Sequence, residues 1–276
     1  MTAHATEVAH GERFEFGKNW IRFLAVLNDE RIEEAKKSLK AMLSVESLAG
    51  KTFLDAGSGS GLFSLAARML GAKVYSFDYD PQSVACTNEL KQRYFAEDKD
   101  WTVTQGSVLD KNYLSSLGCY DVVYSWGVLH HTGAMWEALD NVASLVASEG
   151  QLFIAIYNNQ GGATRRWTLL KKLYNKHPSI RVPLAIYTLI RQWTITFIKD
   201  TLKGTPLHSW QNYKHSRGMS AWHDIVDWIG GYPFEVAKPE EIFNFYKNKG
   251  FYLQQLKTCA GGLGCNEFVL SKRLDN

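Results

Sequence analysis

Cysteine is scarce in this chain. Cys86, Cys119, Cys259 and Cys265 form neither a C-x-x-C pair nor a disulfide framework. That excludes a disulfide-stapled secreted scaffold, and a reducing cytoplasm is the compartment these thiols suit. No run of about 18 apolar residues occurs, so no transmembrane helix is expected. Residues 1–17 lack an apolar segment followed by a cleavage site, so no signal peptide is expected. Metal-ligand spacing is also missing. His130 and His131 are sequence neighbours, Cys259 and Cys265 flank a glycine hairpin, and no bound metal is expected. There are no internal repeats or low-complexity segments. At 276 residues, the chain is long enough for one well-buried α/β domain with a sizeable insertion.

Residues 51–80 carry most of the chemical information. The apolar run Thr52 to Leu54 ends at Asp55 and opens into Gly57-Ser58-Gly59-Ser60-Gly61. An amphipathic stretch follows, and then a second apolar run, Val74 to Phe77, closed by Asp78. Strand, glycine loop, helix, strand and acid make the first half of a nucleotide-binding sheet. Asp78 lies about 20 residues past the loop, where an acid accepts ribose hydroxyls. A dinucleotide fingerprint needs a third glycine where Leu62 stands, which disfavours an NAD oxidoreductase. The pattern present is D-x-G-x-G-x-G, and the carboxylate of Asp55 suits a cationic ligand end while repelling a pyrophosphate.

In this motif the chain resembles the class I S-adenosylmethionine (SAM) methyltransferases. The resemblance implies a Rossmann-like doubly wound α/β fold with seven strands in the order 3-2-1-4-5-7-6, the last antiparallel, and an α-helical insertion. It covers residues 50–157 and 238–272. Residues 1–49 are expected as a helical N-terminal segment, 50–157 as the SAM-binding core, 158–237 as a substrate-side insertion, and 238–276 as the return to the core. Asn28 or Asp29 is expected to cap a helix striped by Ile32, Ala35, Leu39, Met42 and Leu43, and Asp80-Pro81 to start one running to Phe95. A strand is expected from Gln151 to Tyr157, after a helix marked by Trp136, Leu139, Val142, Leu145 and Val146.

Ligands of such sheets sit beyond the carboxyl ends of the strands. Asp55, Gly57, Ser58, Gly59 and Gly61 are expected to hold the methionine end of SAM, and Asp78 the ribose. Tyr79 is placed against adenine. At the third strand end, where the family commonly places an acid for the adenine amino group, this chain has Ser107 and Val108, and Asp110 is the nearest acid. Trp126 closes the fourth strand near the sulfonium, the alternative being a core tryptophan. S-adenosyl-L-homocysteine (SAH) is the implied product.

An oxygen nucleophile needs a positioned base, and two clusters offer histidine. One is His130-His131, just past the fourth strand. The other joins Arg217, Trp222, His223, Asp224, Asp227 and Tyr232 in a short stretch before the chain returns to the sheet. His223 is the first candidate base, with Asp224 to orient it and His131 as the competitor. Arg217, Trp222 and Tyr232 are candidate substrate contacts, Arg217 for an anionic group. The glycine hairpin, Gly261 to Asn266, is expected beside the substrate pocket.

Charge divides the chain. Residues 160–217 hold eleven Lys or Arg and one acid, Asp200, whereas the rest has an excess of seven acids. Within 165–204, one apolar stripe is Trp167, Leu170, Leu173 and Tyr174. A longer one is Val182, Ile186, Leu189, Ile190, Trp193 and Phe197. Arg165, Arg166, Lys171, Lys172, Lys176, Arg181, Arg191, Lys199 and Lys203 surround them. Two occupants suit such helices: an anionic membrane surface, or the sheet domain itself, with the charges facing water. In position and composition the insertion looks like that of the ubiquinone-pathway O-methyltransferases, which act on hydrophobic substrates at the membrane. The expectation is a cytoplasmic SAM-dependent methyltransferase, peripheral on the membrane in the first case. It O-methylates a small amphipathic or lipid-linked acceptor, such as a quinone precursor or glycan. An RNA methyltransferase using the basic residues for phosphate contacts is the alternative enzyme, with nucleic acid ranked below a small molecule. A protein that binds SAM or membrane without turnover is the non-enzyme alternative.

Overall fold

Apolar runs ending at a glycine or an acid become the strands of one sheet. The computed structural model describes residues 3–217 and 221–272, and the side chains of these except 213–217, 221 and 223. The strands are β1 (Thr52–Ala56), β2 (Lys73–Asp78), β3 (Trp101–Gln105), β4 (Tyr120–Trp126), β5 (Val146–Tyr157), β6 (Phe251–Lys257) and β7 (Cys265–Lys272). Their order is β3-β2-β1-β4-β5-β7-β6. The first five pair in parallel, and β7 is antiparallel to β5 and β6. This is the doubly wound order that the resemblance implied.

Three helices, α1 (Ala3–Ala9), α2 (Gly17–Leu24) and α3 (Asp29–Leu43), precede the sheet. Between strands lie α4 (Leu62–Met69), α5 (Pro81–Phe95), α6 (Lys111–Ser115) and α7 (Met135–Ser144). Four more follow β5, namely α8 (Gly162–Lys176), α9 (Arg181–Leu202), α10 (His208–Arg217) and α11 (Ala221–Gly230), and then α12 (Pro239–Lys247). The expected caps are present: Asn28 accepts from the Arg31 amide at 3.1 Å and Asp80 from the Gln82 amide at 2.9 Å. Successive strand residues face opposite layers. Phe53 packs with Leu39, Leu65 and Leu90 from α3, α4 and α5. Its neighbour Leu54 packs with Leu139 and Ile242 from α7 and α12. The five-residue stripe of α3 is wholly buried.

The structure corrects three local expectations. Strand β5 starts at Val146, not Gln151, and Leu145 and Val146 lie outside α7; an apolar helix and an apolar strand abut there with no turn residue between. Trp136 is on α7 but exposed. On α9 the longer stripe is split: Leu189, Trp193 and Phe197 face inward, whereas Val182, Ile186 and Ile190 face solvent. The buried line starts instead from Ala185 and Thr188, which meet the neighbouring helices. Lys171, expected among the outward charges, is buried completely.

The Lys171 ammonium donates to the Trp228 carbonyl and lies 4.2 Å from the Trp228 ring and 4.7 Å from that of Phe234. No acid among the described residues pairs with it, and burial pushes its pKa down to about 7. The unfolded chain therefore holds this proton more tightly than the folded one. The stability tied to Lys171 is lost as pH falls through about 7 and recovers above it. Melting temperatures of the wild type and Lys171→Met between pH 7 and 9 test this. The wild type is expected to gain stability relative to the variant as pH rises, and parallel curves would contradict it.

Candidate functional site

The carboxyl ends of β1 to β4 face the N-terminal segment across a cavity of about 650 Å³. Asp55, at the end of β1, is 2% exposed and lines it. Its carboxylate accepts from Ser64 Oγ, Ser64 Oγ lies 2.7 Å from Ser76 Oγ, and the Trp101 indole N–H donates to Ser76 at 3.0 Å. A serine hydroxyl has one proton to give. Since Ser64 gives its proton to Asp55, Ser76 must donate to Ser64, and the chain runs from Trp101 to the carboxylate. Burial pushes the Asp55 pKa up to about 7, against the pull of the Ser64 hydrogen bond, and no cation among the described residues pairs with it.

Asp78, at the end of β2, accepts from the Gly59 and Asp80 amides, both at 2.9 Å. Burial holds its pKa near 6. The loop between β1 and α4 folds back on β2, with the Gly57 and Ser58 amides donating to the Phe77 carbonyl at 2.8 and 3.1 Å. Gly57 has φ +90°, and a Cβ there would lie 2.4 Å from Val128 Cγ1, so only glycine fits.

Ser58, Gly59, Tyr79, Ser107, Val108 and Trp126 also line the cavity. Trp126 is 43% exposed and so is not a core tryptophan. Ser107 Oγ accepts from the Leu109 amide, and Asp110 caps α6 through the Tyr113 amide. Gly61 does not line the cavity. It turns the chain into α4, where a Cβ would lie 2.8 Å from Thr87 Cα, so its smallness serves helix packing.

His131 also lines the cavity. Its Nδ1 lies 2.6 Å from the Pro233 carbonyl and donates to it, leaving Nε2 as an acceptor. Burial pushes its pKa down to about 3, so the ring is neutral at physiological pH. The second cluster is placed differently. Asp224 and Trp222 lie on α11 outside the cavity lining, and Tyr232 meets the N-terminal segment through its carbonyl, which accepts from the Phe14 amide at 2.8 Å. Gly261 to Asn266 are not in the lining either. The side chains of Arg217 and His223 lie outside the described residues. Asp227, on the same helix, accepts from the Asn19 side-chain Nδ2, and burial pushes its pKa up to about 7.

The opposite wall was not anticipated. It consists of His4, Glu7, Arg13, Phe14, Phe16, Trp20 and Phe23 from the N-terminal segment. The aromatic-basic character of residues 12–27 was the available signal, but no spacing in it names a ligand. Among the described residues, no group of three or more His, Cys, Asp or Glu side chains could hold a metal ion.

A family profile described as a methyltransferase domain matches residues 27–194. The chain belongs to this methyltransferase family. Among solved structures, it is similar to the SAH-bound magnesium protoporphyrin IX methyltransferase of Synechocystis PCC 6803. The TM-score is 0.54 at 16% identity, over 92% of this chain and 94% of that one. An O-methyltransferase family protein from Burkholderia thailandensis gives 0.52 at 12% identity, over 89% and 57%. These likenesses show the fold. Among curated relatives, the tRNA U34 carboxymethyltransferase of Methylococcus capsulatus is 30% identical over 123 residues, 44% of this chain and 37% of that protein. Ribosomal protein L11 methyltransferase of a Psychrobacter species is 46% identical over 52 residues, 18% of this chain and 17% of that one. The chain thus spans well under half the length of either curated relative.

The fold is that of the class I methyltransferases, and the residues at the strand ends fit SAM as the cofactor. A buried carboxylate without a cation, at the end of β1, is the partner an α-ammonium group needs. Asp78 retains acceptor capacity for two ribose hydroxyls. Both groups must be ionised to bind, so SAM affinity is expected to rise as pH increases through about 6 to 7, where both carboxylates titrate. Asp55→Asn should weaken SAM binding by roughly tenfold to a hundredfold, the loss of one charge-assisted hydrogen bond, and flatten that pH dependence. Calorimetric titration at pH 5.5 and 8 checks both, and an unchanged affinity for the variant would refute the placement of the ammonium.

Proposed function

We propose that this methyltransferase transfers the methyl group to a hydroxyl of a small, uncharged acceptor, amphipathic or lipid-linked, of the quinone-precursor or glycan type. The observation that carries this is the wall facing the glycine loop. Phe14, Phe16, Trp20 and Trp126 supply aromatic surface, and His131 supplies an acceptor nitrogen among them. The lone lysine or arginine among the lining residues, Arg13, is engaged by Glu7 and by two backbone carbonyls. Asp55, Asp78, Asp80 and Asp110 make the remaining charge of the lining negative, which disfavours a phosphate-rich acceptor such as RNA.

Bound SAM supplies an electrophilic methyl on a sulfonium sulfur. The chain's part is to align the acceptor with it, for which up to about 7–11 kcal/mol is available from orientation alone. His131 Nε2 accepts the hydroxyl's hydrogen bond, turns an oxygen lone pair toward the methyl group, and takes the proton as the oxygen–methyl bond forms and the methyl–sulfur bond breaks. The Pro233 carbonyl fixes the ring in the tautomer this requires. His131→Ala is expected to lower kcat by about a hundredfold or more and to leave SAM affinity unchanged. Because the His131 pKa lies near 3, this contribution should be constant from pH 5 to 8. A kcat that falls off at the ordinary imidazole pKa would assign the base to another residue.

The same reading gives α8 and α9 to the side from which a lipid-linked acceptor arrives. Val182, Ile190 and Leu202 are 62, 59 and 83% exposed. Arg165, Arg166, Lys172, Lys176, Arg191 and Lys199 are exposed on the same two helices, while Asp200 is turned inward to accept from the Ser209 amide and hydroxyl. Helices exposing both apolar residues and cations suit an anionic bilayer surface. No helix among the described residues is long and apolar enough to cross a membrane.

The deciding experiment offers the enzyme methyl-labelled SAM and a cell extract separated into organic-soluble, aqueous, RNA and protein fractions. Label in the organic or aqueous small-molecule fraction is expected. Label in RNA would overturn the proposal and recast the basic helices as phosphate contacts. Sedimentation with phosphatidylglycerol vesicles, lost in Ile186→Glu/Ile190→Glu, checks the docking surface, and equal sedimentation of the variant would exclude it.

A further inference from the structure

Residues 3–24 run along the whole cavity as a strap. His4 and Glu7 sit at its adenosine end, where His4 meets the Tyr79 ring edge-on at 5.4 Å and Glu7 accepts from the Tyr79 hydroxyl at 3.0 Å. Phe16 sits at its other end, 5.0 Å from the His131 ring. Arg13 joins the two. Its Nε donates to Glu7 at 2.5 Å, and its guanidinium carbon stands 5.0 Å from the Tyr79 ring centre. Its Nη1 and Nη2 reach the His131 and Thr132 carbonyls at 2.8 and 3.4 Å. Tyr79, Glu7 and Arg13 thus form a closed triangle, and the guanidinium ties that triangle to the backbone bearing His131.

We propose that Arg13 is a positioning residue that couples occupancy of the adenosine site to assembly of the acceptor wall. A guanidinium presents five donors in a fixed plane, so it can hold a carboxylate and two carbonyls in one geometry, as a lysine cannot. A ligand that restrains Tyr79 restrains Glu7 and Arg13 with it. Phe14 and Phe16, one and three residues further on, are then fixed against Tyr232 and His131. Coupling of this kind is reciprocal: whatever closes the strap also tightens hold of the cofactor. The proposal rests on adenosine lying at Tyr79, the same placement that the cofactor site above uses.

Amide hydrogen exchange with SAH as the probe tests it on the full chain. In the wild type, SAH is expected to slow exchange in residues 10–17 and 128–133 by about fivefold or more, together with residues 55–62 and 76–80. In Arg13→Gln, SAH should still protect 55–62 and 76–80 but no longer 10–17 or 128–133. A residue that merely stabilises the fold would shift exchange equally with and without SAH. Arg13→Lys, which keeps the charge beside Glu7 but cannot reach both carbonyls, guards against a folding defect and should also lose the effect at 128–133. Wild-type protection of 10–17 and 128–133 by SAH in both variants overturns the proposal, as does the absence of any SAH effect there in the wild type. Absence of protection at 55–62 and 76–80 in the wild type overturns the cofactor placement, and the proposal with it.

Discussion

Asp55 ends a hydrogen-bonded chain whose direction is forced, and the cofactor site depends on that chain. The Trp101 indole can only donate, a serine hydroxyl has one proton, and a carboxylate without its proton can only accept. The dipoles of Trp101, Ser76 and Ser64 therefore add toward Asp55, and each polarises the next. This partly offsets the desolvation of a carboxylate that has no cation partner among the described residues. A charge kept this way stays receptive to a cation from outside. The sheet supplies the frame: β1 and β2 pair so that Asp55 lies opposite Ser76, while Trp101 fills the core beneath.

The charges of the protein are sorted into two environments. Acids line the cavity, where they suit the ammonium and ribose hydroxyls of SAM. Cations cover α8 and α9, where exposed isoleucine, valine and leucine make a surface unlike that of a simple solvated helix. Between them stands a partly aromatic strap. Its single lining cation is held by Glu7 and by backbone carbonyls, so the acceptor end of the cavity offers stacking surface and a neutral histidine instead of charge. That combination supports the proposed uncharged hydroxyl acceptor over one recognised through phosphate.

The stretch from β1 to β2 was legible because its chemistry is local. Glycines at fixed offsets and acids at strand ends announce a ligand, and Asp55, Asp78, Tyr79 and Trp126 all line the cavity. The caps at Asn28 and Asp80 were legible for the same reason. The strap was not: Arg13, Phe14, Phe16 and Trp20 meet Tyr79, Tyr232, His131 and Gly59, all far along the chain, and nothing in their own spacing names them. On α9, helical periodicity correctly aligned an apolar stripe but could not say which side the neighbouring helices would cover. Lys171 shows the same limit, since a lysine in a basic run reads as solvated until Trp228 and Phe234 close over it. Gly61 is the converse case, a motif glycine outside the cavity lining whose small size serves packing against Thr87.

One cavity, between the strand ends and the N-terminal strap, is proposed to hold both the methyl donor and its acceptor. A crystal structure with SAH bound is the decisive test. The amino group of SAH is expected on Asp55, the ribose hydroxyls on Asp78, and adenine beside Tyr79 and Val108. The thioether sulfur should face the space bounded by Trp126, Phe16 and His131. SAH bound with its sulfur turned away from that space, or outside the cavity, would contradict it.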